Sequence, residues 1–193
     1  MNLNIPIILG SVRQGRRSFD AAKLLLKQVA AEGHITQLVD FKELPLPFFD
    51  SPLVPVALKG VYPYPNVQKW SEIALNADAF VIVTPEYNHG YPAVIKNALD
   101  WLYKEFEKKP FGLVGVSDGS YGGIRALEQL RQVVENFGAF AIRETVNFIK
   151  APSMFNENGD LTDEAYLKRI DNFLKNLVAA AEIMKPIRPK LAR

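Results

Sequence analysis

The feature that most constrains the fold is an alternation of short apolar runs with longer amphipathic segments along most of the 193 residues. A run such as 79–83 is almost wholly apolar, as expected for a strand covered on both faces. The segments between the runs repeat their apolar residues at helical spacing. This alternation is typical of βαβ units, in which helices connect parallel strands. Five strands are predicted, at 3–9, 35–39, 79–83, 111–116 and 140–148.

Five helices are predicted between and after these strands, over about 19–30, 67–77, 91–106, 127–137 and 170–181. Ser18 and Thr162 suit N-terminal caps, and Gly33, Gly138 and Pro186 suit helix ends. Helices on both faces of one parallel sheet make a doubly wound, three-layer α/β/α sandwich. The strand order 2-1-3-4-5 is one of its two common solutions, and we predict that order.

The chain length suits one domain, which we place at residues 1–185, followed by a basic tail at 186–193. The basic residues of this region are Lys185, Arg188, Lys190 and Arg193. Another segment, 41–65, contains six prolines and five aromatic residues and shows little periodicity. Such a composition predicts an ordered surface loop. It either lies near the functional site or caps the core, and the sequence does not separate the two.

Composition narrows the class of function. The chain has no cysteine, which excludes disulfides and cysteine-bound metals, and its two histidines are far apart in sequence, so we predict no metal. The net charge is only +2, and no basic stripe indicates a nucleic-acid partner. We see neither a long apolar run nor a secretory signal at the N-terminus. We therefore expect a cytoplasmic protein that binds neither nucleic acid nor membrane.

The predicted strand order also locates the functional site. In open parallel sheets, ligands bind outside the carboxyl ends of the strands, where the strand order reverses. For the order 2-1-3-4-5 this point lies between the first and third strands. The loops at 9–18, 84–92 and 117–123 should therefore meet around one ligand, and each has an unusual composition.

The first loop, LGSVRQGRRS, links a strand to the N-terminus of a helix. Such an N-terminus offers unpaired N–H groups and a partial positive charge to an anion. The loop adds hydroxyl donors and guanidinium groups that match phosphate oxygens: Ser11, Ser18, Arg13, Arg16 and Arg17. We interpret it as a phosphate cradle, the alternative being a solvated basic turn.

The second loop, TPEYNHGYP, has a path constrained by two prolines and a glycine. Tyr87 and Asn88 suit the edge of a planar heteroaromatic ring. Glu86 and His89 could transfer protons, although backbone capping and structural roles are more common for such residues. The third loop, SDGSYGG, contains three glycines, which indicate a close backbone approach or, alternatively, a flexible linker.

With these residues identified, the chain resembles the NADPH-dependent FMN reductase family of flavodoxin-like proteins, which includes flavin, quinone, azo-dye and chromate reductases. The segment PEYNHGYPAVIKNALDW at 85–101 is similar to the signature of that family. GSVRQGRRSFD at 10–20 resembles its phosphate loop, and GGIRALEQLR at 122–131 resembles the segment after its fourth strand. The resemblance covers roughly residues 3–150 and implies a flavodoxin-like α/β fold.

The resemblance implies FMN as cofactor, NADPH or NADH as electron donor, and a homodimer or homotetramer formed through the helix after Tyr91. It places the FMN phosphate near Ser11, Arg13, Arg16, Arg17 and Ser18. It places the ribityl chain and ring edge along Pro85, Glu86, Tyr87 and Asn88. The pyrimidine end of the ring falls near Ser117, Gly119, Tyr121, Gly122 and Gly123. One departure is Asp20, where relatives often have asparagine. The Asp20 carboxylate would repel a phosphate.

The expected function is NAD(P)H-dependent reduction of a small acceptor: a flavin, quinone, azo compound or metal oxyanion. Since a flavin carries the chemistry itself, no catalytic side chain is assigned, and use of one ring face by donor and acceptor in turn predicts ping-pong, two-electron kinetics. The alternatives are a flavodoxin-type electron carrier and a non-catalytic FMN-binding protein. Carriers are usually strongly acidic, so the near-neutral charge and the arginine-rich loop favour a reductase.

Overall fold

The computed structural model describes residues 1–188 and contains one five-stranded parallel sheet in the order 2-1-3-4-5, which confirms the predicted topology. The strands are β1 (Ile7–Leu9), β2 (Leu38–Asp40), β3 (Phe80–Pro85), β4 (Pro110–Val116) and β5 (Phe140–Phe148). The prediction for β5 is confirmed at both ends. Strands β1 and β2 are shorter than predicted, since only an isolated bridge between Asn4 and Ile35 precedes their ladder. Pro6, which has no N–H to donate, lies just before that ladder begins.

Seven helices are present in the described part of the chain: α1 (Ser18–Ala31), α2 (Pro55–Leu58), α3 (Pro65–Asn76), α4 (Ala93–Asp100), α5 (Ile124–Glu135), α6 (Ala151–Met154) and α7 (Ala165–Met184). Five of them correspond to the predicted helices. The other two, α2 and α6, have four residues each, too few to show a periodicity. The helix predicted at 91–106 is wrong in length, because α4 ends at Asp100 and a separate 3-10 turn follows at Lys104–Phe106.

Successive strand residues enter two different cores, because side chains alternate across a sheet. In β1, Ile7 and Leu9 pack on the side of α1 and α7, whereas Ile8 packs on the side of α3, α4 and α5. Both sides of the sheet are therefore covered by helices. This is the predicted three-layer sandwich, and it leaves the strand ends free to carry a site.

Both predicted helix caps are wrong. The N-cap of α1 is Arg17, and Ser18 already lies in the first turn without capping it. The N-cap of α7 is Glu164, and the Thr162 hydroxyl instead donates to the carbonyls of Ser153 (3.0 Å) and Met154 (3.2 Å). The predicted helix ends are confirmed, since Gly33, Gly138 and Pro186 follow α1, α5 and α7.

The proline-rich segment 41–65 lies against α4 and the residue that follows it. The Phe49 ring packs edge-on against Trp101 at 4.9 Å between centroids, and the Phe49 amide donates to Asn97 Oδ1 at 2.9 Å. Asn97 Nδ2 and Trp101 Nε1 both donate to the Pro47 carbonyl. Among residues 1–188, none of this segment lines the main cleft described below. The structure thus favours the interpretation that the segment caps the core.

The predicted basic tail is only partly described, because Lys190 and Arg193 lie outside the described residues. Lys185 and Arg188 both form ion pairs with Asp78, at 2.8 and 3.0 Å, at the amino end of the sheet. Within residues 1–188, no helix combines the length and apolar character needed to span a membrane. The same residues contain no group of three metal-ligating side chains.

Candidate functional site

A cleft of about 570 Å³ opens at the carboxyl ends of β1, β3 and β4. It is formed by the three loops that the sequence singles out, and α6 contributes at its edge through Ala151 and Pro152. All predicted site residues line this cleft except Asn88, Gly122 and Gly123. The loops therefore converge as the strand order requires.

The first loop gives one end of the cleft the features of an anion site. Ser18 is 2% exposed, and its hydroxyl has no hydrogen-bond partner among residues 1–188. A buried hydroxyl without a partner is costly, and this one lies at the N-terminus of α1, where a helix favours negative charge. Arg13 and Arg17 are exposed at the same end and line the cleft. A phosphate placed here would give the Ser18 hydroxyl its missing partner.

Arg16 differs from its two neighbours, because its guanidinium is already engaged within the protein. It forms a bidentate ion pair with Asp40 at the end of β2, and it donates to the Ser11 carbonyl at 2.6 Å. The sequence analysis missed Asp40. The only local signal is a carboxylate that directly follows a predicted strand on the site side of the sheet.

The second loop turns sharply beside the cleft. Tyr87 and Gly90 exchange both backbone hydrogen bonds, at 2.8 and 3.0 Å. The two residues between them, Asn88 and His89, have φ angles of 51° and 68°. Positive φ at both central positions is typical of a type I′ turn, for which asparagine is favoured. Asn88 therefore has a backbone role, and the side chain that the turn brings to the cleft is Tyr87, whose hydroxyl lies 2.8 Å from Ser11 Oγ.

Glu86 is held by an arginine that the sequence analysis missed. Arg125 Nη1 donates to Glu86 Oε1 at 2.8 Å, and the Arg125 backbone amide donates to Glu86 Oε2 at 3.2 Å. The Arg125 guanidinium also lies 4.7 Å from the centroid of the Tyr121 ring. These contacts join the second and third loops. The signal that could have found Arg125 is its position in the first turn of a helix directly after Gly-Gly.

Gly122 and Gly123 approach the sheet itself rather than the cleft. Gly122 has a φ of 56°, and a Cβ there would lie 2.7 Å from Asn147 Cβ in β5. A Cβ on Gly115 in β4 would collide with the Gly122 carbonyl oxygen. The close approach predicted from these glycines is therefore internal. Gly119 does line the cleft, as do Ser117 and Tyr121.

Asp20, the departure from the resembled pattern, does not line the main cleft. Its carboxylate lies 3.4 Å from Lys23 Nζ, one turn along α1. The ion pair balances part of its charge. The repulsion that the sequence analysis expected is therefore reduced by the charge of Lys23.

A five-stranded parallel sheet in the order 2-1-3-4-5, with helices on both faces and a cleft at the point where the strand order reverses, defines the class of flavodoxin-like α/β proteins. A flavodoxin from Pseudomonas aeruginosa shares this fold, with a TM-score of 0.57 at 17% identity, covering 93% of this chain and 99% of that chain. FerB, a flavoenzyme NAD(P)H:(acceptor) oxidoreductase from Paracoccus denitrificans, superposes with a TM-score of 0.77 at 24% identity, covering 94% of this chain and 98% of that chain.

Sequence comparison is more specific. Residues 3–153 match the model of the family described as NADPH-dependent FMN reductase, and the chain belongs to that family. An NAD(P)H-dependent FMN reductase of Saccharomyces cerevisiae is 34% identical over 165 residues, which span 78% of this chain and 85% of that protein. A 2-hydroxy-1,4-benzoquinone reductase of a Burkholderia species is 29% identical over 187 residues, spanning 93% and 96% of the two chains. The chain is thus an NAD(P)H-dependent flavin oxidoreductase whose cofactor is FMN.

The residues of the cleft fit this cofactor. The Ser18 hydroxyl, which has no partner in the described part of the chain, and the exposed Arg13 and Arg17 suit its phosphate. The cleft volume lies within the range usual for sites that enclose a cofactor-sized ligand. The predicted family membership, fold and cofactor are confirmed by these findings, whereas the contacts of individual residues with FMN stay predictions.

Proposed function

We propose that this protein reduces small acceptors with electrons from NADPH or NADH in a two-electron, ping-pong reaction at the one cleft. The acceptor classes that we propose are flavins, quinones, azo compounds and metal oxyanions. When bound, FMN supplies the redox chemistry by accepting a hydride equivalent and passing two electrons on. The observation that carries the proposal is the buried Ser18 hydroxyl, which has no partner within residues 1–188 and lies in the loop that corresponds to the family's phosphate loop.

The protein's own residues are proposed to bind and orient rather than to transfer protons. Ser18, Arg13 and Arg17 hold the phosphate. Tyr87 lines the cleft, where its hydroxyl contacts Ser11 Oγ. Glu86 is neutralised by Arg125, so we assign it the role of fixing the second loop and not that of a proton donor.

The rim of the cleft supports alternate use by donor and acceptor. Tyr121 lines the cleft and is 64% exposed, with its ring held beside Arg125. An open rim with an aromatic face admits flat molecules of different structure. The proposal therefore includes broad acceptor use, with nicotinamide and acceptor taking turns at the same position.

The test uses the FMN-loaded protein under anaerobic conditions. NADPH should bleach absorption near ~450 nm, and a quinone added afterwards should restore it. Steady-state lines at several fixed NADPH concentrations should be parallel when the quinone is varied. Intersecting lines would contradict the ping-pong scheme. Bleaching without turnover on any acceptor class would indicate an electron carrier or a non-catalytic flavoprotein instead.

For assembly, we propose a homodimer or homotetramer built through α4, as the family resemblance implies. Light scattering of the FMN-loaded protein at micromolar concentration should give at least twice the chain mass of 21.6 kDa. A mass equal to one chain would contradict this part of the proposal. The cytoplasmic location and the absence of nucleic-acid and membrane partners stay predictions.

A further inference from the structure

We propose that Asp40 is a positioning residue for the FMN phosphate and acts by holding Arg16, which in turn holds the first loop in its phosphate-binding shape. The inference rests on the proposed placement of the phosphate at residues 10–18. It separates the three arginines of that loop into one that shapes the site and two that supply its charge.

The ion pair between the two residues is bidentate and largely shielded from solvent. Arg16 Nη1 donates to Asp40 Oδ1 at 3.0 Å, and Nη2 donates to Oδ2. The side chains are 12% and 9% exposed. Asp40 Oδ1 also accepts the backbone N–H of Lys42 at 2.9 Å, so the turn after β2 fixes the carboxylate. A shielded bidentate pair of this kind sets a geometry as well as a charge.

The same guanidinium reaches across the loop to the end of β1. Arg16 Nη1 donates to the Ser11 carbonyl at 2.6 Å, which ties position 16 to position 11. Ser11 Oγ accepts from the Arg13 amide at 3.3 Å and lies 2.8 Å from Tyr87 OH, after β3. The contacts therefore join the ends of three neighbouring strands, β2, β1 and β3. Loss of Asp40 would detach the loop from the end of β2 and leave the Arg16 guanidinium bound only to the Ser11 carbonyl.

The charges of the loop are divided accordingly. The charge of Arg16 is balanced by Asp40, whereas Arg13 and Arg17 form no side-chain ion pair with any residue in 1–188. Arg13 and Arg17 are thus the side chains available to neutralise a phosphate. A lysine at position 16 would keep the positive charge, but it could not contact both carboxylate oxygens and the Ser11 carbonyl with one planar group.

The experiment compares binding of FMN and of riboflavin, which lacks the phosphate, to FMN-free protein by quenching of flavin fluorescence. The variants are Asp40→Asn, Arg16→Lys and the double variant, and Arg17→Gln is the matched arginine control. Asp40→Asn and Arg16→Lys should each raise the Kd for FMN about tenfold and change that for riboflavin less than about twofold.

Comparison of FMN binding in the double variant and in the single variants tests whether Asp40 acts through Arg16. The double variant should bind FMN no more weakly than the weaker single variant, because both changes break the same contact. Arg17→Gln should also weaken FMN binding, but its effect should add to that of Asp40→Asn. Circular dichroism of each variant confirms folding, and Asp40→Glu, which keeps the charge but moves the carboxylate away from Arg16, provides the second test at position 40 if Asp40→Asn does not fold.

Several results would overturn the inference. If Arg16→Lys weakens FMN binding and Asp40→Asn does not, Arg16 is a direct phosphate ligand. If Asp40→Asn tightens FMN binding, Asp40 withholds Arg16 from the phosphate. Equal losses for FMN and riboflavin would indicate a general structural role. If wild-type protein binds FMN and both variants match it, only this inference fails. If wild-type protein binds FMN no better than riboflavin, the proposed phosphate site fails as well.

Discussion

The Ser18 hydroxyl at the carboxyl end of the sheet and the side chains around Glu105 at its amino end are both buried, but they differ in whether their polar atoms have partners within residues 1–188. At the carboxyl end, the Ser18 hydroxyl is unpartnered among residues 1–188, and Arg13 is exposed at the cleft. At the amino end, Glu105 and Lys109 are both buried and their polar atoms are hydrogen-bonded inside the protein. A polar cluster whose atoms are hydrogen-bonded within the protein therefore stabilises the fold, whereas a polar group without a partner is available to a ligand.

The closed amino end is built around one carboxylate. Glu105 Oε1 accepts from Tyr62 OH at 2.6 Å and from Ser71 Oγ at 2.7 Å. Burial, and after it the hydrogen bond to Glu105, raises the pKa of Tyr62 above its ordinary value, so that the phenol stays a donor. Lys109 Nζ donates to the carbonyls of Ala74 and Leu75 in the last turn of α3, at 2.7 and 2.9 Å. No ligand is needed to complete these contacts.

The largest effect is expected from Glu105→Ala at the closed end. This change leaves the hydroxyls of Tyr62 and Ser71 without their acceptor, which should lower the free energy of unfolding by about 3 kcal/mol. Chemical denaturation of the FMN-free protein measures the loss, and Glu105→Gln, which keeps an acceptor oxygen, should lose less. The Kd for FMN of the folded variant should stay within about twofold of wild type. A large change in that Kd would break the distinction between the two ends.

The second largest effect is expected from Ser18→Ala at the carboxyl end of the sheet. Unlike Glu105→Ala, this variant should not lower the free energy of unfolding. FMN should bind about tenfold more weakly, a loss of about 1.4 kcal/mol, because a hydrogen bond to a charged phosphate is removed. The FMN-free protein should be as stable as wild type or more stable, since a buried hydroxyl without a partner disappears.

The matched control for that variant is Ser71→Ala, which removes a serine hydroxyl at the closed end. It should lower stability by about 1 kcal/mol and leave the Kd for FMN unchanged. If Ser18→Ala destabilises the FMN-free protein as much as Ser71→Ala does, the Ser18 hydroxyl has a structural partner and the comparison fails.

Lys109, at the amino end of the sheet, should make the stability of the fold depend on pH. Burial first, and then the nearby charge of Arg188, lower the pKa of Lys109 to about 7, although Asp78 and Glu105 act in the opposite direction. A neutral amine keeps two N–H donors, which suffice for the two carbonyls it contacts. Since the unfolded chain has the higher pKa, it binds more protons between pH 7 and about 10.4, and stability should rise with pH in that window.

The expected gain from this effect is about 1 kcal/mol between pH 7 and pH 8. The measurement is the difference in the free energy of unfolding between wild type and Lys109→Met over that range, which cancels the other titrating groups. The difference should grow with pH. A constant difference would mean that Lys109 stays charged in the folded protein at both pH values.

The sequence predicted the sheet order and the three site loops because these depend on signals that are local in the chain. Strand β5 was located at both ends, and the first loop was recognised from its glycines and arginines. The pairs Arg16–Asp40 and Glu86–Arg125 were not predicted, because they join residues that only the fold brings together. The side chains that complete the site depend on tertiary contacts in the same way as those of the closed end.

The smallest effect is the response of FMN binding to salt, and it tests whether the charges of Arg13 and Arg17 attract the phosphate. Arg13 and Arg17 are exposed, so salt should screen their attraction for the phosphate. Raising NaCl from about 50 mM to about 500 mM should weaken FMN binding about threefold and leave riboflavin binding nearly unchanged. Arg17→Gln should reduce this salt dependence, whereas Glu105→Gln at the closed end should not. Equal salt dependence for FMN and riboflavin would show that these arginines do not act on the phosphate, and the basic loop would then be a solvated turn.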